Sequence, residues 1–470
     1  MNSLADRLRG LIGSRGADPL GPRGEPERLA PHHNDAAEVL GGEWREGRGR
    51  KFLVVKRKYS PGYRHGRLTL ADCLPPWRRL HLLASGPNAI PGSTADAETS
   101  DTCRTLFIDL ETTGLAGGAG TYAFLVGCGW FEPPAPLASA SARSATADRS
   151  ASQGAGFRTR QFFLADFAAE RALLEAVGEL ASNLACVVTY NGKSFDLPLL
   201  ETRFSLQRMP TPFAEVAHID MLHPARRMWR QEEVECRLTY LEGALCGHER
   251  DGDVPGFEIP SRYFQYVRSL DARPLEAVFE HNRLDIVSLA MLTARAAQLL
   301  EEGPSMAMTA REALGMGRLY ERAGLLDDAI ASYDRAAEVS HSQTSSRALV
   351  AQTFKVCATR DTVSVRVEAL RASAILLRRL RRYEDAAVKW RALLTTPLCP
   401  ASYAREANEA LAVHHEHRAR DLETARLFAL QSLKLHATAA RQQAIRYRLA
   451  RLDRKLGFTT RLQRPSAALF

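Results

Sequence analysis

Four acidic residues stand in three short motifs whose composition suits chemistry on phosphate esters. Asp109 and Glu111 belong to FIDLETTGL, Asp196 to YNGKSFDLPLL, and Asp285 to HNRLDIVSL. Carboxylate oxygens are the ligands that hard divalent cations prefer, and two such cations about 4 Å apart can contact both the attacking water and the leaving oxygen of a phosphodiester. The acids therefore predict a metal-dependent hydrolase, with two Mg²⁺ or Mn²⁺ ions as cofactors.

The first motif has the pattern of a buried strand that ends at its acids. Residues 106–110 are apolar apart from Asp109. Because side chains alternate along a strand, Asp109 and Glu111 point to the same side. The Thr-Thr-Gly that follows favours a turn, which leaves both carboxylates at an open strand end that a ligand can approach.

The elements that must position these acids follow from the pattern of residues 104–300. Apolar β-rich runs, Gly-rich loops and helical spacing of Ala and Leu predict the order strand, strand, strand, helix, strand, helix, strand, helices. The first three strands are expected to form a meander, Ser194 to cap the second helix, and Asp196 to lie in its first turn. The predicted strands are 106–110, 121–131, 157–164, 186–190 and 218–222, and the first and last predicted helices are 168–182 and 275–300.

His281 is a candidate for proton transfer. It lies four residues before Asp285 on the last predicted helix, so the two side chains share a face. An imidazole titrates near neutrality and can accept a proton from water. The alternative is a polar histidine that is satisfied by hydrogen bonds.

The three motifs in this order resemble the ribonuclease H-like DEDD exonuclease superfamily and, within it, the YprB-like group of predicted nucleases. GLAGGAGTYAFLVGCGWFE and RQFFLADFAAERALLEAV add to the likeness, which covers residues 104–300. The resemblance implies an α/β fold, with a ribonuclease H-like mixed sheet flanked by helices. It also implies a 3′ to 5′ exonuclease that acts on single-stranded DNA or RNA by a two-metal mechanism.

The resemblance assigns a role to each residue of the set. It implies that Asp109 is shared by both metals, that Glu111 and Asp285 bind the first metal, and that Asp196 binds the second. It implies that His281 positions or deprotonates the attacking water. The spacing departs from the superfamily here, because members with histidine usually have one more residue before the aspartate.

Residues beside the motifs are candidates for holding the substrate. Arg226, Arg227 and Arg230, with Trp229, form a basic aromatic cluster that can stack on and hold a single strand, although a helix with solvated arginines has the same pattern. By the same resemblance Asp220 lies where the superfamily often has an aspartate, and it is not counted among the metal ligands. The other candidates for substrate binding are Thr112, Asn191 and Lys193, of which Asn191 can equally be part of a turn.

Composition indicates a multidomain globular chain of 470 residues, 45% hydrophobic and 25% charged. No apolar run approaches the roughly 20 residues of a membrane span, and the first residues lack a secretory signal, so we expect a cytoplasmic protein without membrane contact. The predicted units are a disordered N-terminus at 1–35, a small basic β element with a linker at 36–100, the exonuclease domain at 101–303 with a flexible insertion at 133–156, and helical repeats at 304–470.

The C-terminal segment is rich in Ala, Leu and Arg and resembles tetratricopeptide repeats. ALGMGRLYERAGLLDDAIASYDRAAE has small residues where paired helices approach and Gly324 at the turn. A second copy has Arg381 where the turn glycine would be, and a third, weaker copy surrounds Ala425. These copies predict an all-α solenoid.

Charge is distributed unevenly, with +5 on residues 1–100, −8 on 101–310 and +12 on 311–470. The basic flanks can hold a nucleic acid beside an acidic catalytic segment, although surface arginines can also serve solubility alone. The expected partner is a nucleic acid substrate, and the repeats either bind a protein or extend the nucleic-acid path. The alternative is a helical cap that stabilises the nuclease. The competing interpretations are a structure-specific endonuclease and a non-catalytic scaffold that binds nucleic acid and recruits protein.

Overall fold

A mixed sheet with flanking helices carries the acidic motifs, and a run of helices follows it. The computed structural model describes residues 35–75, 77–84, 105–114, 118–132, 156–182, 184–230, 236–339, 358–435 and 438–458. Within these ranges the predicted fold class, a mixed sheet flanked by helices and then an all-helical region, is confirmed. The predicted disorder at the N-terminus, most of the linker and the insertion lie outside the described residues.

Seven of the described strands form one sheet, in the spatial order β1-β2-β7-β6-β5-β8-β9. Strands β5, β6 and β7 are antiparallel neighbours, so the predicted meander is confirmed, whereas β5, β8 and β9 run parallel. Strands β3 and β4 form a separate small hairpin. The strands are β1 (Glu43–Gly47), β2 (Arg50–Tyr59), β3 (Arg64–His65), β4 (Leu68–Thr69), β5 (Thr105–Thr112), β6 (Ala123–Phe131), β7 (Phe157–Phe163), β8 (Cys186–Thr189) and β9 (Ala217–Asp220).

The basic β element forms part of this sheet. Strand β2 pairs with β7 in antiparallel register from Leu53↔Phe163 to Tyr59↔Phe157. Its inner residues are buried, while Lys and Arg side chains of the same strand are exposed. The division of the chain into domains stays a prediction, but β1 and β2 are hydrogen-bonded extensions of the sheet that carries Asp109 and Glu111.

The helices follow the predicted order, and the longest, α7, crosses the sheet. It packs against β5, β6 and β7. The α-helices are α1 (Ala36–Leu40), α2 (Glu170–Leu180), α3 (Asp196–Leu206), α4 (Leu222–Met228), α5 (Leu238–Leu241), α6 (Ile259–Ser269), α7 (Glu276–Glu302), α8 (Ala310–Arg322), α9 (Leu326–Glu338), α10 (Ala358–Arg379), α11 (Tyr383–Leu394), α12 (Ala401–His414), α13 (Leu422–Leu433) and α14 (Ala439–Lys455).

Two apolar cores cover the sheet, and strand alternation assigns residues to them. Phe107 belongs to one core, whereas Leu106 and Ile108 belong to the other. Asp109 and Glu111 have the parity of Phe107 and therefore share its face. Gly127 of β6 lets α7 approach this face, because a Cβ at that position would lie only 2.5 Å from Ile286 Cδ1.

The core on the Phe107 side continues into the helical region, where it includes Leu314 and Leu376. The predicted turn positions of the repeats are confirmed by the backbone. Gly324 and Arg381 both have left-handed conformations, with φ of 80° and 61°. Arg420, five residues before the buried Ala425, has the same conformation with φ of 57°. The assignment of these hairpins to the tetratricopeptide type stays a prediction.

No helix within the described ranges is both long enough and apolar enough to cross a membrane.

Candidate metal centre

The first two acids extend from β5 into the space beneath α7. Asp109 Oδ2 accepts a hydrogen bond from Asn282 Nδ2 at 2.8 Å, and the Asp109 carbonyl accepts a second one at 3.2 Å. Glu111 is buried. Burial and the charges of nearby carboxylates, first of all Asp285, raise the pKa values of Asp109 and Glu111 well above the ordinary range. The two acids are therefore held among like charges.

Asp196 occupies the first turn of α3, as predicted. The prediction that Ser194 caps this helix is wrong, because the capping position is Phe195 and no side chain makes a capping hydrogen bond. Gly192 packs so tightly here that a Cβ would lie 2.6 Å from Asp196 Oδ2. Burial, followed by the charge of Asp220, raises the pKa of Asp196 to about 7.

Asp220, at the end of β9, stabilises the turn that leads to Asp196. Its carboxylate accepts hydrogen bonds from the backbone N–H groups of Asn191 at 2.8 Å, Lys193 at 3.1 Å and Leu222 at 3.1 Å. Asn191 has a left-handed backbone with φ of 65°. Both oxygens of Asp220 are thus engaged with backbone, which accounts for an aspartate at this position without a direct metal role.

Asp285 comes from α7 and contacts an arginine that the sequence did not indicate. Arg250 Nη2 lies 2.5 Å from Asp285 Oδ1, and its side chain is only 5% exposed. The same guanidinium contacts Asp253 through Nη1 at 3.2 Å. The loop after residue 246 therefore adds both a cation and a further acid to the site.

His281 lies between two carboxylates. Its Nδ1 is 2.6 Å from Asp253 Oδ1, and its Nε2 is 3.6 Å from Asp285 Oδ2. A carboxylate at Nδ1 favours the tautomer that carries its proton there. The other ring nitrogen, Nε2, is then an acceptor on the side of Asp285.

The donor set fits divalent cations. Asp109, Glu111, Asp196 and Asp285 come from three separate motifs, yet their charges act on one another strongly enough to raise pKa values. Oxygen ligands of this kind suit Mg²⁺ or Mn²⁺, and a bound cation removes the repulsion between them. The hydrogen bond to Asp109 comes from a neutral amide, Asn282, which leaves the charge of that carboxylate to be balanced by a cation.

The predicted substrate-binding residues lie in different environments. Thr112 is partly buried, and its hydroxyl donates to the Gly114 carbonyl at 2.9 Å. Lys193 and Arg226 are exposed, whereas Arg227 is partly buried and its Nη1 is buried without a hydrogen-bond partner. Lys193 and Arg226 lie at the surface, where a strand can approach them, and their roles stay predictions.

The prediction that Trp229 stacks on the substrate does not agree with the structure. Its side chain is 3% exposed in the apolar core, and its indole N–H donates to Glu312 Oε1 at 2.9 Å. A buried ring cannot lie against a nucleobase, so Trp229 links α4 to α8 instead. An aromatic residue among arginines has the same local pattern in a core as on a binding surface.

Sequence reasoning missed four residues of this region. Arg250 and Asp253 lie in HERDGD, whose density of charge is a signal, although it does not reveal the partners. Asn282 has no distinguishing pattern on its helix. Phe195 is 57% exposed and directly precedes Asp196, so its position in the motif was the available signal.

Comparison with known proteins agrees with this geometry. Residues 106–297 match the model of the RNase_H superfamily, and the match contains all four acids and His281. The mixed sheet with its helices is RNase H-like, a class whose members are typically hydrolytic nucleases that use divalent metals. The match therefore indicates nuclease activity and a nucleic acid substrate.

The chain is also similar to the uncharacterized protein YprB of Bacillus subtilis (strain 168). The two are 27% identical over 410 residues, which cover 86% of each chain. This similarity and the RNase_H match confirm the predicted likeness to a ribonuclease H-like domain and to YprB. The match to this relative is longer than the one to the RNase_H model, so the likeness extends beyond residues 106–297.

Proposed function

We propose that the protein is a metal-dependent nuclease that hydrolyses single-stranded DNA or RNA from the 3′ end by a two-metal mechanism. The observation that carries the proposal is that Asp109 and Glu111 lie on the face of β5 against which α7 packs, while α7 carries Asp285 and holds Asp109 through Asn282. The charges of neighbouring acids also raise the pKa values of Asp109, Glu111 and Asp196. A structural ion network would pair each of these acids with a cation, whereas here Asp285 contacts Arg250 and Asp109 is held by the neutral amide of Asn282. The RNase_H match over residues 106–297 supports the same chemistry.

Each acid has a proposed role at the metal centre. Asp109 would be shared by both cations, and the charges of Asp285, Glu111 and Asp196 raise its pKa. Asp109, Glu111 and Asp285 would hold one cation, and Asp109 with Asp196 would hold the other. When bound, the two cations activate water and stabilise the leaving oxygen. Asn282 fixes the orientation of Asp109 through its hydrogen bond.

His281 accepts the proton in this proposal. Asp253 holds Nδ1–H, so Nε2 is the basic nitrogen and lies on the side of Asp285. The water oxygen forms a bond to phosphorus, its proton passes to Nε2, and the P–O3′ bond breaks. The departing oxygen takes up a proton as the 3′-hydroxyl of the shortened strand, and the released nucleotide carries a 5′-phosphate.

Exposed residues beside Asp196 supply the proposed substrate contacts. Lys193 is exposed and carries a positive charge that suits a phosphate. Phe195 is 57% exposed, and an aromatic ring can stack on a base of any sequence. The same short turn thus places a cation and a ring next to a metal ligand.

We propose that nucleic acid or a protein partner binds the helical region.

Degradation of labelled substrates tests the proposal. Single-stranded and duplex DNA and RNA, labelled at the 3′ or the 5′ end, are incubated with Mg²⁺, Mn²⁺ or EDTA. The unaltered protein is compared with Asp109→Asn and with Asp385→Asn, which removes a charge from a half-exposed acid of the helical region. We expect metal-dependent removal of 3′-terminal mononucleotides by the unaltered protein and Asp385→Asn, and its loss in Asp109→Asn.

Other outcomes identify the rival functions. Internal fragments from both labels would show an endonuclease, because the same acids can serve an internal cut. Binding of every substrate without cleavage, equal in the unaltered protein and Asp109→Asn, would contradict the nuclease and support a scaffold.

A further inference from the structure

A chain of buried polar contacts leads from Asp285 to the N-terminal hairpin β3–β4. Arg250 Nη2 contacts Asp285 Oδ1 at 2.5 Å and Glu242 Oε2 at 2.7 Å. The other oxygen of Glu242, Oε1, lies 3.2 Å from His65 Nε2. The side chains of His65 and Glu242 are fully buried. Three contacts therefore connect an acid of the metal centre to a histidine more than 200 residues away in the chain.

The hairpin also fixes the backbone of the segment that carries Arg250. Gly66 has a φ of 64°, and a Cβ there would lie 2.6 Å from backbone atoms of Gly247 and His248. The Arg67 N–H donates to the Cys246 carbonyl at 2.7 Å. The rings of His65 and His248 stack with centroids 4.1 Å apart. The loop is thus held by the hairpin two residues before Arg250.

We propose that Arg250 is a positioning residue that fixes the carboxylate of Asp285. In this proposal Glu242 holds Arg250 in place, and His65 of the hairpin supports Glu242. This inference rests on the proposed nuclease function and deepens it. Arg250 occupies Oδ1 of Asp285, which leaves Oδ2 on the side of His281. The N-terminal hairpin is in this way part of the support of the metal centre, although it contributes no metal ligand.

Charge and burial explain why this support is specific. Arg250 is 5% exposed and Glu242 is fully buried, so each is stable in the core only while the other balances its charge. A guanidinium presents its donors in a rigid planar fork, which fixes the orientation of the carboxylates that it contacts. Residues that orient metal ligands typically change affinity or activity by about 10–100-fold when they are removed.

The same cluster has a second interpretation, as a metal site. One ligand atom each from His65, Glu242 and His248 lies within 4.8 Å of the others. However, Arg250 already neutralises Glu242, and Ser288 Oγ lies 2.8 Å from His65 Nε2. The contacts favour an ion network that orients Arg250.

Steady-state kinetics test the positioning role on the labelled single strands of the degradation assay, at saturating Mn²⁺. We expect Arg250→Ala to lower kcat about 10–100-fold with KM nearly unchanged. Arg250→Lys should recover part of kcat, since it restores the charge without the planar fork. Glu242→Gln, which keeps the side-chain shape, should also lower kcat. If Arg250→Ala does not fold, the kcat of Glu242→Gln tests the positioning role.

Arg283→Ala is the matched control. Arg283 lies on α7 two residues from Asp285, is 12% exposed and is paired with Glu280 and not with the acids of the site. It should lose thermal stability and keep kcat. Equal kcat in Arg250→Ala, Glu242→Gln and the unaltered protein would overturn the inference, as would an equal loss of kcat in Arg283→Ala and Arg250→Ala.

Two further results separate this inference from its alternatives. If the unaltered protein cleaves and Asp109→Asn does not, wild-type kcat in Arg250→Ala and Glu242→Gln overturns the positioning role alone. If the unaltered protein does not cleave, the nuclease function and the positioning role fall together. Elemental analysis that finds a stoichiometric transition metal, lost in His248→Ala, would make Glu242 a metal ligand and overturn the inference; its absence supports the ion network.

Discussion

Two buried acid sites in this molecule have opposite surroundings. The carboxylates of Asp109 and Glu111 lie among other carboxylates, and their pKa values are raised by burial and by like charge. Glu416 of the helical region is also buried, but it is paired with Arg448 at 2.6 Å and Arg451 at 2.7 Å. Burial alone would raise the pKa of Glu416, yet the hydrogen bonds from Arg451 and Lys455 outweigh it and lower the pKa to about 2.

The difference shows that burial by itself does not reveal what an acid does. Glu416 has its positive partners within the fold, so its charge stabilises the packing of α14. The acids of the candidate metal centre raise one another's pKa values, although Asp285 also contacts Arg250, and the fold keeps them together at a cost in stability. A cation from solution is what such a set lacks, and this is the physical basis for assigning a ligand-binding role to one site and a structural role to the other.

The largest effect is expected from Asp109→Asn. Loss of the central carboxylate should lower kcat by roughly 10³-fold or more, the scale expected when a principal electrostatic group is removed. The same change should stabilise the metal-free protein by about 1 kcal/mol, because a neutral amide replaces an acid crowded by other carboxylates and keeps an oxygen for Asn282. Activity and thermal unfolding in EDTA are measured together. A destabilised metal-free Asp109→Asn would contradict the repulsion on which the comparison rests.

Asn282→Ala is expected to act next most strongly. Asn282 donates to Asp109 and accepts from Gln161 at 2.9 Å, so its loss leaves Asp109 free to turn. We expect kcat to fall about 10–100-fold. Asn408→Ala removes a similarly buried amide from the helical region, where it donates to the Ala404 carbonyl. If both variants lose stability but neither loses activity, the amide does not orient Asp109.

Glu416→Gln should have effects opposite to those of Asp109→Asn: it should lower the free energy of unfolding and leave activity unchanged. The hydrogen bonds from charged partners are weakened, which should reduce the free energy of unfolding by about 2 kcal/mol. Asp385→Asn removes a half-exposed acid paired with Arg382 and should change stability by less than about 0.5 kcal/mol. Chemical denaturation gives both values. A similar small effect for both variants would mean that the buried cluster does not stabilise α14.

The smallest effect is the dependence of that stabilisation on pH. Because the pKa of Glu416 is lowered from 4.5 to about 2, its contribution is fully present above about pH 4.5. The contribution decreases as pH falls from 4.5 toward 2, where the folded carboxylate takes up its proton. The stability difference between the unaltered protein and Glu416→Gln should therefore be constant from pH 7 to 5 and shrink below. A difference that grows with acidification would contradict the assigned sign.

Local patterns in the sequence were sufficient for the elements and for the positions of the acids. Alternation in β5 placed Asp109 and Glu111 on one face, and the motif after β8 placed Asp196 in a first helical turn, both as observed. The turn role of Arg381 was also predicted, because its spacing to Ala386 repeats that of Gly324 to Ala329.

Contacts between distant segments were not accessible in the same way. Arg250 meets Asp285 across 35 residues, and nothing in either local pattern specifies the other. The burial of Trp229 depends on Glu312, which lies 83 residues away. The sequence predicted that β2 belongs to a basic β element, but it did not predict that β2 pairs with β7. The pattern of one strand does not reveal which strand lies beside it. Pairing in space decides these features, and periodicity reports only which face of an element is apolar.

Calorimetric titration with Mn²⁺ tests the central claim most directly, because it measures the proposed ligand set without a substrate. The account predicts that the unaltered protein binds two Mn²⁺ ions and that Glu416→Gln binds the same number with the same affinities. Asp109→Asn should bind neither ion, or both far more weakly. Binding by Asp109→Asn with the stoichiometry and affinity of the unaltered protein would contradict the assignment of these four acids as the metal centre.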